Sequence, residues 1–534
     1  MRKQNISLKD TGRFSQLICD YLSKNKNLQD FYGNYPNLEN SQNQIKLKKD
    51  SYSKKSRKIL VNSLNAQYAK QFPKKEVSKN LELLANENTF TVTTGHQLCL
   101  MTGPLYFIYK IISTINLCKQ LKIKNPESDF IPVFWMASED HDFEEINSFL
   151  FQDNKIQWKT ESEGAVGDLP LTDLQKELDL FEAHLGNQSD VNFIKQLLKK
   201  SYRKAKNLSE ATFDLVNQLF GDYGLVIIEP NKKDLKNLFS PIVKDELTNN
   251  TSFYKVTEQI DLIKKKYNKK YSPQVNPREI NLFYLTSKGR FRIEKNDKGF
   301  SLIGGDLNFT KEAFFKTLKE YPERFSPNVI LRPLFQELIL PNLFFVGGAA
   351  EISYWFQLKK NFDYYNLPFP SLLLRNSALI YSEKLKIKID KLDLSTSDLF
   401  LKRNELINKK IRQISSIDLD LKFLKTKLND QFNYLYSLVH ETDKSFEGAV
   451  NAQLKKQMKG LDYLEKRLLK AQKRKLSDHI SRLSLLHEQL FPNDQLQERS
   501  LNFFTFYLEI GEKMIPSLIN CLDPLNSDFT LIEY

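Results

Sequence analysis

Acidic residues and a histidine directly follow an apolar run in the segment IPVFWMASEDHDFEEI. Ligands of open α/β sheets bind where strands end, so Asp140, His141 and Asp142 could bind an amine there, hold a divalent metal ion or act in acid–base catalysis. The alternative is helix capping for the two aspartates and ordinary burial for the histidine. Glu144 and Glu145 are interpreted as capping residues, so the other three are the candidate catalytic residues of this segment.

A second polar segment links a predicted strand to a predicted helix in TFTVTTGHQLCLMTGPLYFIYK, where Pro104 lies in the first helical turn. Such a unit presents free backbone N–H groups to an anion, and its glycines let a phosphate approach closely. The sequence matches neither GxGxxG nor the P-loop, so an ordinary βα turn is the alternative. The candidate catalytic residue is His96, and the candidate binding residues are Thr94, Gly95, Gln97, Thr102 and Gly103.

Further polar residues lie in NVILRPLFQELILPNLFFVGGAAEISYWFQL and PSLLLRNSALI. Arg332 could clamp a carboxylate or a phosphate, and Gln336 and Asn376 are further candidates for substrate binding. The Gly347–Gly348 pair permits the close approach either of a ligand or of a neighbouring helix. No segment has the ligand spacing of a zinc site, so no residue is assigned to a metal.

The elements that must position these residues indicate an α/β core. Short apolar runs alternate with helical stretches, as in a parallel sheet flanked by helices. We expect this core to cover residues 1–380, with insertions near 151–222 and 250–310, the second of which contains a small antiparallel sheet (INLFYL and RFRIE). The predicted core strands are Thr89–Thr94, Ile131–Ala137, Leu225–Glu229, Val329–Leu331 and Leu343–Val346.

No proline occurs between Pro370 and Pro492, which predicts a helical arm over residues 381–491. Apolar residues recur there at three- and four-residue steps in two stripes, Ile407–Val439 and Leu454–Leu490. This spacing lines one face of a helix. The two stripes therefore predict two helices that pack on each other as a coiled coil.

A turn around His440–Phe446 would make the two arm helices antiparallel. Basic residues between Lys455 and Lys475 crowd the second helix. They form either a nucleic-acid-binding stripe or the solvated charged positions of a coiled coil. Residues 492–534 return to mixed character and are expected to pack back on the core.

Composition limits the class of protein. The 534 residues, 41% of them hydrophobic, can form more than one domain. A net charge of +14 favours anionic partners (phosphates on a small substrate, nucleic acid or an anionic membrane surface), unless it reflects only a lysine-rich proteome. No apolar run approaches the length of a membrane span and no leader is evident. With four scattered cysteines, a soluble cytoplasmic protein is expected.

Taken together, these segments resemble the cysteine ligases of bacillithiol biosynthesis, the BshC family. The resemblance implies a Rossmann-like core, similar to class I aminoacyl-tRNA synthetases and pantothenate synthetase, with two connecting insertions. It also implies a coiled-coil arm through which the chain forms a homodimer. The matching blocks, in the family's order, are TTGHQ, TGPLYFIYK, PVFWMASEDHDFEEI, NPREINLFY, RFRIE, LRPLFQELILPNLFFVGGAAEISYW, LLRNS and LQER.

The implied reaction joins the carboxylate of L-cysteine to the amino group of glucosaminyl malate. Amide formation in water is unfavourable, so ATP is the expected energy source, and Mg²⁺ could accompany it through the phosphates. The 94–97 turn and the helix after Pro104 would then hold the activated group, and Arg332 would bind the malate carboxylates. The segment Asp140–Asp142 would supply the base that deprotonates the amine.

In the related synthetases a His-x-Gly-His motif stabilises the charge that develops during adenylation. The matching turn here is Thr-Thr-Gly-His-Gln, which retains His96 without the paired histidine. The family also suggests a nucleotide pocket between core and arm, with Gln497 and Arg499 as candidate nucleotide-binding residues. Two competing hypotheses are a basic nucleic-acid- or tRNA-binding protein and a nucleotide-binding scaffold without turnover.

Overall fold

The computed structural model describes residues 1–69, 71, 73–151, 154–186, 190–305, 307–439, 441–442 and 444–534. Its strands are β1 (Arg2–Ile6), β2 (Thr89–His96), β3 (Asp129–Met136), β4 (Ser148–Phe151), β5 (Asn154–Gln157), β6 (Val226–Ile228), β7 (Leu282–Thr286), β8 (Gly289–Asn296), β9 (Gly299–Ile303), β10 (Asn308–Thr310), β11 (Phe325–Pro327), β12 (Asn342–Gly347), β13 (Ser371–Leu374), β14 (Ser377–Tyr381) and β15 (Phe529–Glu533).

The α-helices are α1 (Gln16–Leu22), α2 (Ser41–Ser51), α3 (Lys54–Tyr68), α4 (Lys75–Leu83), α5 (Tyr106–Lys124), α6 (Phe143–Ile146), α7 (Gln175–His184), α8 (Val191–Lys200), α9 (Leu208–Phe220), α10 (Lys233–Asn249), α11 (Thr251–Lys266), α12 (Lys311–Glu320), α13 (Arg332–Ile339), α14 (Ala349–Trp355), α15 (Lys359–Tyr364), α16 (Glu383–Lys391), α17 (Thr396–Leu399), α18 (Arg403–Ile414), α19 (Lys422–Val439), α20 (Lys444–Lys475), α21 (Ser477–Leu490), α22 (Gln497–Ser500), α23 (Phe503–Ile510) and α24 (Met514–Cys521). Short 3₁₀ helices occupy Lys9–Thr11, Lys26–Phe31, Leu100–Thr102, Val166–Asp168, Gly221–Tyr223, Pro322–Arg324, Pro492–Asp494 and Gly511–Lys513.

Five parallel strands form the central sheet, in the order β13-β12-β2-β3-β6. Strand β2 is buried from Thr89 to Gly95, as expected of a strand whose two faces are both covered by helices. It pairs with β3 in unbroken register, from Thr89 opposite Asp129 to His96 opposite Met136. The polar segments that follow β2 and β3 therefore begin at the same edge of the sheet.

Four of the five predicted core strands are confirmed, as β2, β3, β6 and β12. The prediction of a strand at Val329–Leu331 is wrong, because these residues form a turn that leads into α13. The side-chain oxygen of Asn328 accepts hydrogen bonds from the N–H groups of Ile330 (2.9 Å) and Leu331 (3.3 Å). These donors are therefore not available to a neighbouring strand.

A second sheet is antiparallel, in the order β10-β9-β8-β7-β11. It contains INLFYL and RFRIE as β7 and β8, which confirms the antiparallel piece predicted there. Strand β11 comes from beyond the predicted insertion and pairs with β7, Ser326 lying opposite Phe283. This pairing attaches the antiparallel sheet to the chain that leads back into the core.

The helical arm is confirmed as a coiled coil of α19 and α20, which run antiparallel. The Lys425 side chain forms an ion pair with Glu465 (2.7 Å), and the Tyr436 hydroxyl donates a hydrogen bond to Asn451 nearer the turn (2.6 Å). The first apolar stripe is divided between α18 and α19 rather than forming one helix. Part of the predicted turn, residues 440 and 443, lies outside the described residues.

A third sheet, in the order β1-β15-β14, joins three segments that are distant in sequence. Strand β15 pairs antiparallel with β1 and parallel with β14. Helices α23 and α24 also contribute buried side chains to the largest apolar cluster, among them Phe504 and Leu518. These contacts bring residues 497–502 against the edge of the central sheet where β13 ends.

Candidate functional site

A cavity of about 810 Å³ lies at the carboxyl edge of the central sheet. Residues that follow β2, β3, β12 and β13 line it, together with residues of the antiparallel sheet and of α22. The polar and charged lining residues include His96, Gln97, Tyr106, Lys110, Ser138, Glu139, Asp140, His141, Glu145, Asn276, Arg278, Arg290, Asn328, Arg332, Glu351, Tyr354, Arg375 and Arg499.

The structure brings half of the predicted site residues together in this cavity. These are Gly95, His96, Gln97, Asp140, His141, Arg332 and Arg499. They derive from segments separated by hundreds of residues and meet because the parallel strands end at one edge. Strand-end location was therefore a sound guide for Gly95, His96, Gln97, Asp140 and His141, whereas Arg332 follows a turn and Arg499 was predicted from the family resemblance.

The remaining predicted residues are outside the cavity lining. Those at the end of β2 and in the β2–α5 connection stabilise the local backbone conformation instead. The Thr94 hydroxyl donates to the Val346 carbonyl (2.8 Å) and so joins β2 to β12. Thr102 is buried, and Gly103 has φ +60, where a Cβ would lie 2.6 Å from that of Cys99. Glycine is needed there for conformation rather than for the approach of a ligand.

The N–H groups of Leu105, Phe107 and Ile108 at the start of α5 already donate hydrogen bonds within the protein. Leu105 N–H donates to the Leu501 carbonyl (2.8 Å), and Phe107 N–H donates to the Pro104 carbonyl (3.0 Å). Helix α5 begins at Tyr106, after Pro104. The predicted anion site at this helix end is therefore corrected: segment 501–502 covers the first turn of α5.

Of the other predicted residues, Asn376, Gln497 and Gln336 have structural partners, whereas Asp142 is exposed. Asp142 is exposed and precedes α6, Asn376 is buried and donates to the Asp523 carbonyl (2.7 Å), and Gln497 exchanges two hydrogen bonds with the Ile380 backbone. Gln336 accepts from Arg332 Nη1 (3.0 Å) and is itself buried. Gln336 thus orients a cavity residue without lining the cavity.

Asp140 is the most heavily hydrogen-bonded acid of the cavity. Its carboxylate accepts from Gln97 Nε2 (2.9 Å), His141 N–H (2.8 Å) and Arg290 Nη1 (3.3 Å). Burial alone would raise the pKa of Asp140, but hydrogen bonds from His141 and Gln97 and the charge of Arg290 outweigh it and hold the pKa well below its ordinary value. Asp140 is therefore a permanent carboxylate near neutral pH and a weak proton acceptor.

His141 lies beside this carboxylate, its Nδ1 3.4 Å from Asp140 Oδ1. The imidazole ring is half exposed and packs near the Phe283 ring, with 5.4 Å between ring centres. A proton on Nδ1 would face the carboxylate and leave Nε2 as the basic atom. This pair can therefore take a proton from a ligand although Asp140 itself remains ionised.

Two further carboxylates stand at this end of the cavity. Glu139 forms an ion pair with the buried Lys236 (2.8 Å), whose Nζ also donates to the Phe325 carbonyl. Glu145 lies in the first turn of α6, as the sequence analysis expected, and it also accepts a hydrogen bond from Gln97 Nε2 (2.8 Å) and lines the cavity. Gln97 thus joins Asp140 and Glu145, and both carboxylates can face an ammonium group.

His96 stands in the middle of the edge, at the end of β2. Its Nδ1 lies 2.9 Å from the Gln97 carbonyl, which can only accept, so Nδ1 carries the proton and Nε2 is left as an acceptor. Burial, together with the positive charge of Lys110, lowers the pKa of His96 to about 4 from its ordinary value of 6.5. His96 is therefore neutral at physiological pH and supplies no positive charge.

Positive charge is instead concentrated at the β12–β13 end. Lys110 is buried, forms an ion pair with Glu351 and donates to the Gly95 carbonyl (2.9 Å). Arg375 pairs with Glu498 (2.7 Å), yet its Nε is buried and has no hydrogen-bond partner among the described residues. A buried donor without a partner is costly, so this atom is suited to an acceptor on a ligand.

Two more arginines of this end lack carboxylate partners in the described part of the chain. Arg332 donates to Gln336 and, through Nη2, to the Tyr354 hydroxyl (3.1 Å), both neutral. Arg499 lines the cavity, and none of its side-chain atoms forms an ion pair with a described residue. Both guanidinium groups can therefore neutralise an anionic ligand.

The cavity is thus divided by charge along the sheet edge. Arg375 follows β13, His96 ends β2, and Glu139 and Asp140 follow β3. Three inter-strand steps of about 4.8 Å separate β13 from β3, so roughly 14 Å lies between the two ends. A ligand with carboxylates or phosphates at one end and an amine at the other would match this arrangement.

Three basic lining residues were missed by the sequence analysis: Lys110, Arg278 and Arg290. Each is an isolated basic residue in a helix, strand or loop, where a charged residue commonly faces solvent. Glu351 and Arg375 lie in polar segments that the sequence analysis selected, but neither was assigned a role. The only sequence signal of the missed residues was membership of the matching blocks.

Among the described residues, no group of three or more histidine, cysteine, aspartate and glutamate side chains could hold a metal ion. No helix in the described ranges combines the length and apolarity that crossing a membrane requires.

The fold and this cavity define an α/β protein with a Rossmann-like domain and a coiled-coil domain. Two family models match the chain: "Bacillithiol biosynthesis BshC, N-terminal Rossmann-like domain" over residues 1–376, and "Bacillithiol biosynthesis BshC, C-terminal coiled-coil domain" over residues 378–534. The chain belongs to the BshC family.

Relatives that share nearly the full length of the chain carry the name "Putative cysteine ligase BshC". The protein of Flavobacterium johnsoniae is 49% identical over 527 residues, covering 99% of each chain. That of Christiangramia forsetii is 48% identical and covers 99% of this chain and 98% of its own. That of Salinibacter ruber is 30% identical, with 96% and 94% covered.

The protonation state of His96 can be tested directly. In an unfolded chain the imidazole binds a proton near pH 6.5, whereas folded His96 binds one only near pH 4. NMR of histidine-labelled protein should therefore show a neutral His96 ring from pH 8 down to about 5, with His96→Gln identifying the signal. A titration midpoint near 6.5 would contradict the assignment. Because the unfolded state binds more protons between these values, stability should also fall on acidification, and less so in His96→Gln.

Proposed function

We propose that the chain is a ligase that joins the carboxylate of L-cysteine to the amino group of glucosaminyl malate, giving bacillithiol. Family membership supports this function over the nucleic-acid-binding and scaffold hypotheses. The observation that carries the proposal is the division of the cavity by charge. Glucosaminyl malate bears two carboxylates and one amine. At one end the cavity bears Arg332 and Arg499, which lack carboxylate partners among the described residues, and at the other it bears three carboxylates with His141 and Arg290.

The amine would bind at the β3 end. As an ammonium ion it would be attracted by Asp140 and Glu145, which Gln97 holds side by side. His141 Nε2 would take the proton from nitrogen, while Asp140 holds the ring through Nδ1. The nitrogen lone pair is then free to attack the activated cysteine carbonyl. The low pKa of Asp140 suits this role, because a carboxylate that stays ionised stabilises the imidazolium that forms.

The anionic groups would bind at the β12–β13 end. Arg332 would contact the malate carboxylates, and Lys110, Arg375 and Arg499 would face the group that activates cysteine. ATP would supply that activation, as an adenylate or an acyl phosphate, and Mg²⁺ would accompany its phosphates. The unpartnered Arg375 Nε fits an anionic oxygen there. His96, being neutral, would offer Nε2 as an acceptor to a substrate hydrogen rather than a charge.

We place the enzyme in the cytoplasm. All four cysteines are free thiols, a state that a reducing compartment maintains.

The reaction can be reconstituted with purified protein, glucosaminyl malate, L-cysteine, ATP and Mg²⁺. Mass spectrometry should detect bacillithiol, with none formed when ATP is omitted, and the release of AMP or ADP would identify the activated intermediate. His141→Gln and Asp140→Asn should each lower kcat by about 10²–10⁴-fold. Asp142→Asn is the matched control and should remain within a few-fold of wild type. Comparable rates for all three variants would disprove the placement of the amine.

Substrate binding at the cationic end predicts a different kinetic signature. Arg332→Gln should raise KM for glucosaminyl malate by about 10–100-fold, since a charge-assisted bidentate contact is lost, with a smaller effect on kcat. Arg332→Lys should recover only part of this, because lysine lacks the planar fork. Arg324→Gln, at an arginine outside the cavity lining, is the control. An unchanged KM in Arg332→Gln would show that malate binds elsewhere.

We also propose that the chain forms a homodimer through α19 and α20. Large apolar side chains are exposed on this arm, including Phe423 (66%), Tyr463 (59%) and Leu464 (56%). Contiguous exposed apolar surface commonly marks an interface. Leu464→Lys should reduce the mass measured by light scattering from that of two chains to that of one. Ile123→Lys, at an apolar residue of α5 that is even more exposed (83%), should leave the mass unchanged.

A further inference from the structure

Arg290 links the antiparallel sheet to the amine end of the cavity. It lies on β8, 150 residues from Asp140 in sequence, and its side chain is only 9% exposed. Nη1 donates to Asp140 Oδ1 (3.3 Å) and lies 3.3 Å from His141 Nδ1, which it borders without a hydrogen bond when Nδ1 carries the proton. One nitrogen of Arg290 therefore touches both members of the Asp140–His141 pair.

Residues of the antiparallel sheet hold the rest of the Arg290 guanidinium group in place. Nε donates to the Ser326 hydroxyl (3.1 Å), and Nη2 donates to the Pro327 carbonyl (2.8 Å), both in β11. The Phe283 ring of β7 packs against its face, with 4.2 Å from Cζ to the ring centre. Because the guanidinium is planar and its donors have fixed directions, these contacts determine where Nη1 points.

The same sheet also sets the orientation of the histidine ring. Phe283 packs against both Arg290 and His141. A shift of β7 or β8 would therefore move the Arg290 guanidinium together with the Phe283 ring that packs on His141. By contrast, Gln97, the other side chain that donates to Asp140, comes from the central sheet. The amine end is assembled between two sheets.

We propose that Arg290 is a positioning residue through which the antiparallel sheet holds the Asp140 carboxylate and the His141 ring in their working geometry. The inference rests on the proposed function, since it assigns Arg290 to the base that deprotonates the amine. Arg290 makes no contact with substrate in this role. It acts through Asp140 and His141.

A purely structural role would be to pin the antiparallel sheet to the core, and the two roles differ in their kinetics. If Arg290 positions the base, Arg290→Ala should lower kcat by about 100-fold, as for a misplacement of about 1 Å, and leave KM for ATP within a few-fold. Added guanidinium ion should restore part of the rate, whereas tetramethylammonium at equal ionic strength should not. Arg290→Lys should remain impaired, because an ammonium group cannot make the three directed hydrogen bonds to Asp140, Ser326 and Pro327.

Non-additivity gives a second kinetic test. If Arg290 acts through Asp140, adding Arg290→Ala to Asp140→Asn should change kcat by less than a few-fold. Arg292→Ala is the matched control: it lies two residues along β8, pairs with Glu294, is absent from the cavity lining and should leave kcat unchanged. Full additivity, or equal losses in Arg290→Ala and Arg292→Ala, would overturn the inference.

A measurement without turnover separates this inference from the proposed function. In histidine-labelled protein, Arg290→Ala should shift the ring ¹⁵N signals of His141 and leave those of His96 in place, while Arg292→Ala should alter neither. Unchanged His141 signals in Arg290→Ala would overturn the positioning role even if the variant were slow. If wild type makes no bacillithiol, the proposed ligase activity fails, and these signals still decide whether Arg290 holds the pair.

Discussion

A charge buried at the carboxyl edge of the parallel sheet requires a partner of opposite charge, and this requirement organises the molecule. Removing a carboxylate or an ammonium group from water costs several kcal/mol, on the order of the whole stability of a domain, unless a partner compensates. The partners come from distant segments: Lys236 for Glu139, Arg290 for Asp140, and Arg375 for Glu498. Each pair therefore joins two parts of the fold as well as satisfying a charge.

The same requirement distinguishes structural from functional charges. Lys48 and Glu337 are almost completely buried, lie 3.4 Å apart and are also hydrogen-bonded to neutral groups, so their bonding is internal. Arg332 and Arg499 have no such carboxylate in the described part of the chain although they line the cavity. An arginine that is held in place by neutral groups retains its charge for a ligand. The cationic end of the cavity is for this reason the part of the site that remains electrostatically incomplete.

The acidic end follows the opposite logic. Asp140 accepts three hydrogen bonds, which keep its carboxylate ionised, so it does not act as a proton acceptor at neutral pH. The ring of the neighbouring His141 is more exposed than the Asp140 carboxylate. Two residues adjacent in sequence thus have different surroundings: Asp140 is a fixed charge within a hydrogen-bond network, and His141 is a half-exposed ring beside it.

Strand-end reasoning located His96, Gln97, Asp140 and His141 because parallel strands must finish at one edge, and the residue after a strand is there whatever the rest of the chain does. The same reasoning misassigned Thr94 and Asn376. A polar residue near a strand end can equally turn inward and satisfy the backbone of a neighbour, and only the packed structure shows which occurs. Burial in a close-packed interior, not residue type, decides between the two outcomes.

By itself the sequence determined the α/β class, the coiled-coil arm and the family, because hydrophobic periodicity and long matching blocks are local properties of the chain. Only the tertiary structure decided that Arg290 would reach Asp140 and that Leu501 would cover the start of α5. The pairing of β8 with β7 and of β11 with β7 sets the first contact, and the return of the C-terminal segment sets the second. Such contacts depend on sheet register and on packing between segments hundreds of residues apart, and no local pattern in one sequence encodes them.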